Sequence, residues 1–168
     1  APALIEEAAG LLAEHGPEAR VLAGGQSLIP AMNLRVARPS VLIDIGRVAG
    51  LDSITIDNGT VTIGARVTHR AIEDSTELAE ALPVLPAMAL HIGHPSVRNR
   101  GTFGGSIANA DPASEWPLAL LALGGQVKAV SPRGERVIDS GEFFVSYFET
   151  RLDADEILTG VSLRALKA

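Results

Sequence analysis

The spacing of the hydrophobic residues changes near residue 53. Before that point, apolar residues recur with the period of an amphipathic helix over 4–12. After it, apolar and polar residues alternate over 54–63 on both sides of Asn58-Gly59, which is the pattern of a β-hairpin. The sequence therefore predicts an α+β fold made of two lobes.

The first predicted lobe is a small α/β unit over 1–50. Its helix ends at His15-Gly16, and strands follow at 20–23 and 40–45, the second of them buried on most of its length. A Gly-rich turn and a helix-like stretch connect the two strands.

The second predicted lobe is larger, mixed and β-rich, and covers 51–168. After the hairpin we expect a helical stretch that Pro83 and Pro86 break, a second helix, and strands at 126–130, 136–138 and 156–163. The second helix is expected to begin at Asp111-Pro112, as a cap followed by proline at the first helical position, and to end at Gly124-Gly125.

The composition of the chain excludes several classes of protein and of binding site. With 46% hydrophobic and 20% charged residues, the 168-residue chain is neither a disordered tail nor a coiled coil. Its net charge of -6 gives no bulk attraction to nucleic acid or to an anionic membrane. It contains no cysteine, so this sequence can form no disulfide and cannot ligate an iron–sulfur cluster through thiolates. The longest apolar run, 118–123, is far shorter than the roughly 20 residues of a membrane-spanning helix.

The first candidate binding segment is Leu22-Ala23-Gly24-Gly25-Gln26-Ser27-Leu28, where a short strand runs into two glycines. Glycine tolerates positive φ, so successive backbone N–H groups can converge on an anion such as phosphate. The alternative is an ordinary turn between a strand and a helix.

The second candidate segment is Gly101-Thr102-Phe103-Gly104-Gly105-Ser106, with Glu115 shortly after it. The adjacent glycines let the main chain approach a ligand closely, the hydroxyls offer hydrogen bonds, and the carboxylate can accept from a sugar hydroxyl. Together these groups suit a diphosphate and a ribose. The alternative is a Gly-rich loop with a capping Asp and a surface Glu.

Other motifs carry less weight. There is no G-x-G-x-x-G and no P-loop, so a dinucleotide would have to be bound in another way. His91 and His94 are expected to be ordinary loop histidines, and no metal site is predicted. Arg98 and Arg100 are expected to be solvated or to face a partner. We find no catalytic residues: there is no Ser/His/Asp set, no carboxylate pair and no thiol.

Four segments taken in order resemble a known family: VLAGGQSLIP at 21–30, PSVLIDIG at 39–46, HPSVRNRGTFGGS at 94–106 and ANADPASE at 108–115. They resemble the FAD-binding medium subunit of the molybdenum hydroxylases, the xanthine dehydrogenase family, and most nearly that of the aerobic carbon monoxide dehydrogenases. The likeness covers almost the whole chain.

The resemblance implies a vanillyl-alcohol-oxidase-type FAD-binding domain of two lobes, with non-covalent FAD between them. It assigns the pyrophosphate loop to Leu22, Ala23, Gly24, Gly25, Gln26, Ser27, Leu28 and Ile29. It assigns the other side of the cleft to Thr102, Gly104, Gly105 and Ser106. It also implies that Glu115 contacts the ribose, Ile92 the flavin or its tail, and Leu158 the isoalloxazine ring.

The resemblance further implies partners. A large subunit would hold the molybdenum cofactor, a small subunit the iron–sulfur clusters, and this flavin subunit would pass electrons to quinone, NAD or oxygen. The assembly would be a cytoplasmic dimer of heterotrimers, or one at the inner face of the membrane. We expect the family's C-terminal domain to lie outside this sequence and the natural chain to extend at both ends. Two alternatives stay open: part of a free-standing flavin oxidase or reductase, and a non-catalytic dinucleotide-binding subunit.

Overall fold

A computed structural model describes residues 1–166, so the last two residues of the second predicted lobe lie outside the described residues. The helices are α1 Ile5–His15, α2 Leu28–Asn33, α3 His69–Glu73, α4 Thr76–Ala81, α5 Val84–Ala89, α6 Pro95–Arg98, α7 Phe103–Asn109, α8 Glu115–Leu123 and α9 Ser140–Phe143. The strands are β1 Ala19–Leu22, β2 Val41–Asp44, β3 Ile54–Asp57, β4 Thr60–Gly64, β5 Gln126–Ser131, β6 Gly134–Asp139, β7 Phe144–Ser146, β8 Glu149–Thr150 and β9 Ile157–Arg164.

The N-terminal part contains α1 and a two-stranded parallel sheet, in which Ala19 pairs with Val41 and Leu22 with Asp44. The expectation that the second strand is buried on most of its length is wrong, because Leu42 and Asp44 are exposed. Only one face of this small sheet packs on α1, so burial alternates along β2 as it does along any half-covered strand.

A five-stranded sheet forms the larger part, with strand order β3-β4-β9-β5-β6. The predicted hairpin is confirmed: Asp57 pairs with Thr60, and both turn residues, Asn58 and Gly59, have positive φ, as a tight hairpin turn requires. The last strand, β9, lies between β4 and β5 and pairs antiparallel with both. The β3–β4 hairpin is therefore connected to β5 and β6 within the sheet through β9.

The predicted break at Pro83 is confirmed, whereas the predicted break at Pro86 is wrong, because Pro86 lies inside α5. Helix α4 ends at Ala81, and Pro83 precedes α5, while Pro86 lies in the first turn of α5, where its missing N–H leaves no hydrogen bond unmade.

The predicted start of the next helix at Asp111-Pro112 is wrong. Helix α8 begins at Glu115, with Ser114 in the N-cap position. The Asp111 carboxylate instead accepts a hydrogen bond from the Ala113 N–H at 2.9 Å, so Asp111 stabilises a turn before the helix. The predicted end is confirmed, because Gly124 terminates α8 in the left-handed conformation.

Two clusters of buried side chains form the core. The smaller one contains Ala8, Ala9, Leu12, Ala19, Ile43, Ile45, Val48, Leu51 and Ile157. The larger one lies between the five-stranded sheet and helices α3, α4, α5, α7 and α8. The division into lobes at residue 50 stays a prediction; Leu51 and Ile157 join the smaller cluster from beyond that boundary. Within 1–166, no helix is long and apolar enough to cross a membrane.

Candidate functional site

The two glycine-rich segments, far apart in sequence, are in contact. A Cβ atom added to Gly24 would lie 2.1 Å from the Arg100 carbonyl oxygen and 2.8 Å from the Gly101 Cα atom. A Cβ atom on Gly105 would lie 3.7 Å from the Ala23 Cβ atom. Only glycine at position 24 therefore allows the two backbones to approach this closely.

The first segment presents free backbone donors. The N–H groups of Gly24 to Leu28 have no hydrogen-bond acceptor within the described part of the chain. Gly25 has a φ of +73°, which turns the backbone there, and its carbonyl accepts from the Ile29 N–H at 3.1 Å as α2 begins. Residues 22–26 are only partly covered. Successive free N–H groups around a left-handed residue are an arrangement that can bind an anion, and the phosphate site at this segment stays a prediction.

The second segment contributes differently from the prediction. Its backbone donors bond inside the protein: Phe103 to the Val67 carbonyl at 2.8 Å, Gly104 to the Ala65 carbonyl at 3.1 Å, and Gly105 to the Thr102 hydroxyl at 3.2 Å. Thr102 is the N-cap of α7, which explains the last of these bonds. The amide hydrogens of Phe103, Gly104 and Gly105 are therefore not available to a ligand, and only Gly105 and Ser106 of this segment are partly exposed.

Gly104 is needed for packing in any case. A Cβ atom there would lie 2.6 Å from both the Cα and the Cβ atoms of Ala65. The requirement for glycine at this position therefore comes from the approach of α7 to the end of β4, whether or not a ligand is bound.

Ser106 and Glu115 lie where α7 and α8 meet. The Ser106 and Ser114 hydroxyl oxygens are 2.5 Å apart, which ties α7 to the start of α8. Glu115, the first residue of α8, is half-buried, and within residues 1–166 its carboxylate makes no ion pair or hydrogen bond in the structure. Its oxygens are therefore available to accept from a ligand hydroxyl.

The two remaining residues that are predicted to contact FAD are buried in the core. Ile92 and Leu158 are 8% and 4% exposed, and both belong to the larger core cluster. Leu158 pairs with Ala129 in the middle of the sheet. Their roles near the flavin stay predictions.

The expectation for Arg98 is wrong. Its side chain is buried, and its Nε atom lies 2.7 Å from the Glu73 carboxylate. It also donates to the Gly93 carbonyl at 3.0 Å and to the Ile92 carbonyl at 3.4 Å, so it fixes the loop before α6. Arg100 is exposed, as are His91 and His94.

Sequence reasoning missed His69, which lies directly behind the site. Its backbone N–H donates to the Gly101 carbonyl at 3.0 Å, and its Nδ1 atom accepts from the Trp116 Nε1–H at 2.9 Å. Burial, helped by the positive charge of Arg98, lowers the pKa of His69 from 6.5 to about 4. No local motif marks this residue, because its partners lie 32 and 47 positions further along the chain.

Two surface depressions of about 560 and 480 Å³ lie elsewhere. The larger is bordered by the β3–β4 turn and the end of α8, the smaller by β3 and residues 71–77. Neither includes a residue of the two glycine segments. Free donors and an unpaired acceptor, rather than a surface depression, mark the candidate site.

Comparison with known proteins decides the family. A family model described as the FAD binding domain in molybdopterin dehydrogenase matches residues 1–163. The chain belongs to this family. The resemblance stated from the sequence is thereby confirmed, and so is the mixed α+β fold, which superposes on solved members at TM-scores up to 0.98.

Named relatives support the same family. The chain is 48% identical over 160 residues to the nicotine 6-hydroxylase medium subunit of Paenarthrobacter nicotinovorans, covering 95% of this chain and 56% of the relative. It is 37% identical to the carbon monoxide dehydrogenase medium chain of Hydrogenophaga pseudoflava, covering 98% of this chain and 58% of the relative.

A solved structure of that carbon monoxide dehydrogenase, in a form that lacks the Mo-pyranopterin moiety, matches with a TM-score of 0.98 at 37% identity. The match covers 99% of this chain and 58% of that one. The chain therefore spans a little more than half the length of the relatives it matches.

The residues present fit the FAD that the family binds. The donors from Gly24 to Leu28 suit diphosphate oxygens, and the unpaired Glu115 carboxylate suits ribose hydroxyls. The contact between Gly24 and Gly101 places the two segments next to each other.

Proposed function

We propose that the chain is the flavin-binding part of the medium subunit of a molybdenum hydroxylase, and that it passes electrons from a partner's iron–sulfur clusters to quinone, NAD or oxygen. The observation that carries the proposal is the contact of Gly24 with Arg100 and Gly101, beside a run of free backbone donors. When bound, FAD supplies the redox chemistry.

The protein's own part in this function is positioning. Backbone N–H groups of the first segment would donate to the two phosphates, and Glu115 would accept from the ribose hydroxyls. Neutral donors suit this site in a chain of net charge -6, because they bind an anion without any lysine. The negative charge of the Glu115 carboxylate favours a sugar hydroxyl over another anion next to it.

The proposed partners are a large subunit with the molybdenum cofactor and a small subunit with the iron–sulfur clusters, assembled as a dimer of heterotrimers in the cytoplasm or at the inner face of the membrane. The names of the relatives, which describe medium subunits and chains, support this assembly. The exposed aromatic residues Tyr147 and Phe148 also support it. They form a hairpin tip beside Ala110, at the end of α7.

The test uses the purified chain and FAD. We expect reversible binding of FAD, reduction of the bound flavin by dithionite, fast reoxidation by a quinone, and no oxidation of hydroxylase substrates by the chain alone. Failure to bind FAD, or substrate oxidation without partners, would overturn the proposal. Tight binding with no reoxidation by quinone, NAD or oxygen would favour a non-catalytic dinucleotide-binding subunit.

A further inference from the structure

A buried hydrogen bond links the two structural elements that border the candidate site from behind. The Trp116 Nε1–H donates to His69 Nδ1 at 2.9 Å, and His69 is 4% exposed. Trp116 follows Glu115 directly in α8, while the His69 backbone is bonded to Gly101. The position of the ribose acceptor is thus coupled through one imidazole to the turn that contacts Gly24.

The imidazole ring is constrained on its other edge as well. A Cβ atom added to Gly101 would lie 2.5 Å from His69 Nε2, so the ring packs directly against the turn backbone. Val67 and Thr68, which precede His69, also pair with residues 102 and 103. These contacts fix the position of the imidazole ring relative to α8 and to the Gly101–Thr102 turn.

The protonation state follows from the donor. An indole N–H can only donate, so Nδ1 must be unprotonated and the proton of the neutral ring lies on Nε2. The lowered pKa of His69, about 4, agrees with a ring that is neutral at physiological pH. A second proton on the ring would lie on Nδ1 and would break the bond to Trp116.

We propose that His69 is a positioning residue for FAD: its bond to Trp116 holds Glu115 and the Gly101–Thr102 turn at the separation that one dinucleotide requires. This inference rests on the proposed function. A core that needed only volume at position 69 would accept an apolar side chain, whereas a directional bond fixes a distance and an orientation.

The experiment compares three variants by titration with FAD. His69→Leu keeps bulk but leaves the Trp116 N–H without an acceptor, and we expect FAD affinity to fall about tenfold or more. His69→Asn keeps an acceptor near the Nδ1 position, and we expect it to restore most of the loss. Trp116→Phe removes the donor and should weaken binding in the same direction as His69→Leu.

The control is Val127→Ala, a buried truncation in β5, a strand that pairs with β6 and β9 and with neither segment of the site. It should lower thermal stability while leaving FAD affinity within about twofold of the parent. Because Trp116 is the only tryptophan, its indole N–H gives one NMR signal. That signal should move in His69→Leu and return toward the parent position in His69→Asn, even without FAD.

Each result is decisive. If His69→Leu binds FAD as tightly as the parent, or if affinity merely follows thermal stability across all four variants, the inference is overturned and the proposed function stands. If the parent itself binds no FAD, the proposed function fails, and with it the positioning role.

Discussion

Two neighbouring glycines in the first segment are required for different physical reasons. At Gly24 the obstacle to a side chain is backbone, because a Cβ atom would overlap the Arg100 carbonyl. At Gly25 the nearest atoms are side-chain carbons of Ile29 and Leu22, at 3.1 and 3.3 Å, and the obstacle is the positive φ. The sequence alone marks both glycines equally; only the contact with Gly101 separates them.

We therefore expect Gly24→Ala to be the more damaging change. The two segments would have to separate, so FAD binding should be lost, and unfolding should become easier by about 1–3 kcal/mol, as for other overpacked sites. Gly10→Ala is the matched control, since nothing lies within 4 Å of its added Cβ atom. In the middle of α1 it should stabilise the chain by about 0.5–1 kcal/mol. Urea unfolding and FAD titration measure both effects; equal effects of the two variants would contradict the contact.

Glu115 provides a second test at this scale. Glu115→Gln removes the charge but keeps the shape, and FAD binding should weaken by about 1–3 kcal/mol, the range for one charged hydrogen bond. Since the carboxylate has no partner within residues 1–166, stability should change by less than about 0.5 kcal/mol. Glu14→Gln, on the exposed side of α1, should alter neither quantity. An unchanged FAD affinity in Glu115→Gln would remove this residue from the site.

At the scale of helices and strands, local signals predicted local structure. The hairpin at Asn58-Gly59 and the break at Pro83 follow from turn geometry and from the missing proline N–H, and both are present. The predicted helix start at Asp111-Pro112 was wrong because Asp, Pro and Ser are all favoured in turns, and Ser114 is as good an N-cap as Asp111. The insertion of β9 between β4 and β5 has no local signal at all.

The buried ion pair between α3 and α6 allows a prediction for this scale. Glu73 binds both Arg98 and Arg70, each at 2.7 Å, and both Glu73 and Arg98 are about nine-tenths buried. Glu73→Leu should lower stability by about 3–5 kcal/mol, because it leaves the Arg98 guanidinium buried without its counterion. The double variant Glu73→Leu/Arg98→Met should recover much of that loss. Glu135→Gln, which breaks the exposed pair with Lys128, should cost less than about 1 kcal/mol. Chemical denaturation measures the free energy of unfolding of all three variants. A double variant that is no more stable than Glu73→Leu would refute the argument.

For the molecule as a whole, the sequence predicted the composition of the candidate site better than its structure. Both glycine segments and Glu115 were predicted from residue type, because the conformational freedom of glycine and the charge of a carboxylate can be recognised in the sequence itself. The sequence could not show that the amide hydrogens of Phe103 and Gly104 are used inside the protein, because their acceptors, the carbonyls of Val67 and Ala65, lie in a separate part of the chain. The roles of His69 and of the buried Arg98 could not be predicted for the same reason: their partners come into contact only in the folded chain.

The whole molecule should also lose stability in mild acid because of His69. An unfolded histidine titrates near 6.5, whereas the pKa of the folded one is about 4, so the unfolded chain binds more protons between these values. The stabilisation is complete above about pH 6.5 and is lost as the pH falls toward 4, which amounts to about 2 kcal/mol by pH 5.

The two carboxylates with lowered pKa values, Glu77 and Glu156, lose their contribution to stability only as the pH falls below the ordinary range of glutamate. Burial opposes the ionised form of Glu156, but hydrogen bonds from Arg136 and the Asp153 N–H outweigh it and lower its pKa, so its contribution is lost only below the ordinary range of glutamate. Urea unfolding at pH 7 and pH 5 should therefore show the loss in the parent and a much smaller one in His69→Asn. His91→Asn, at an exposed histidine, should behave as the parent does. A pH dependence that persists unchanged in His69→Asn would show that another group is responsible.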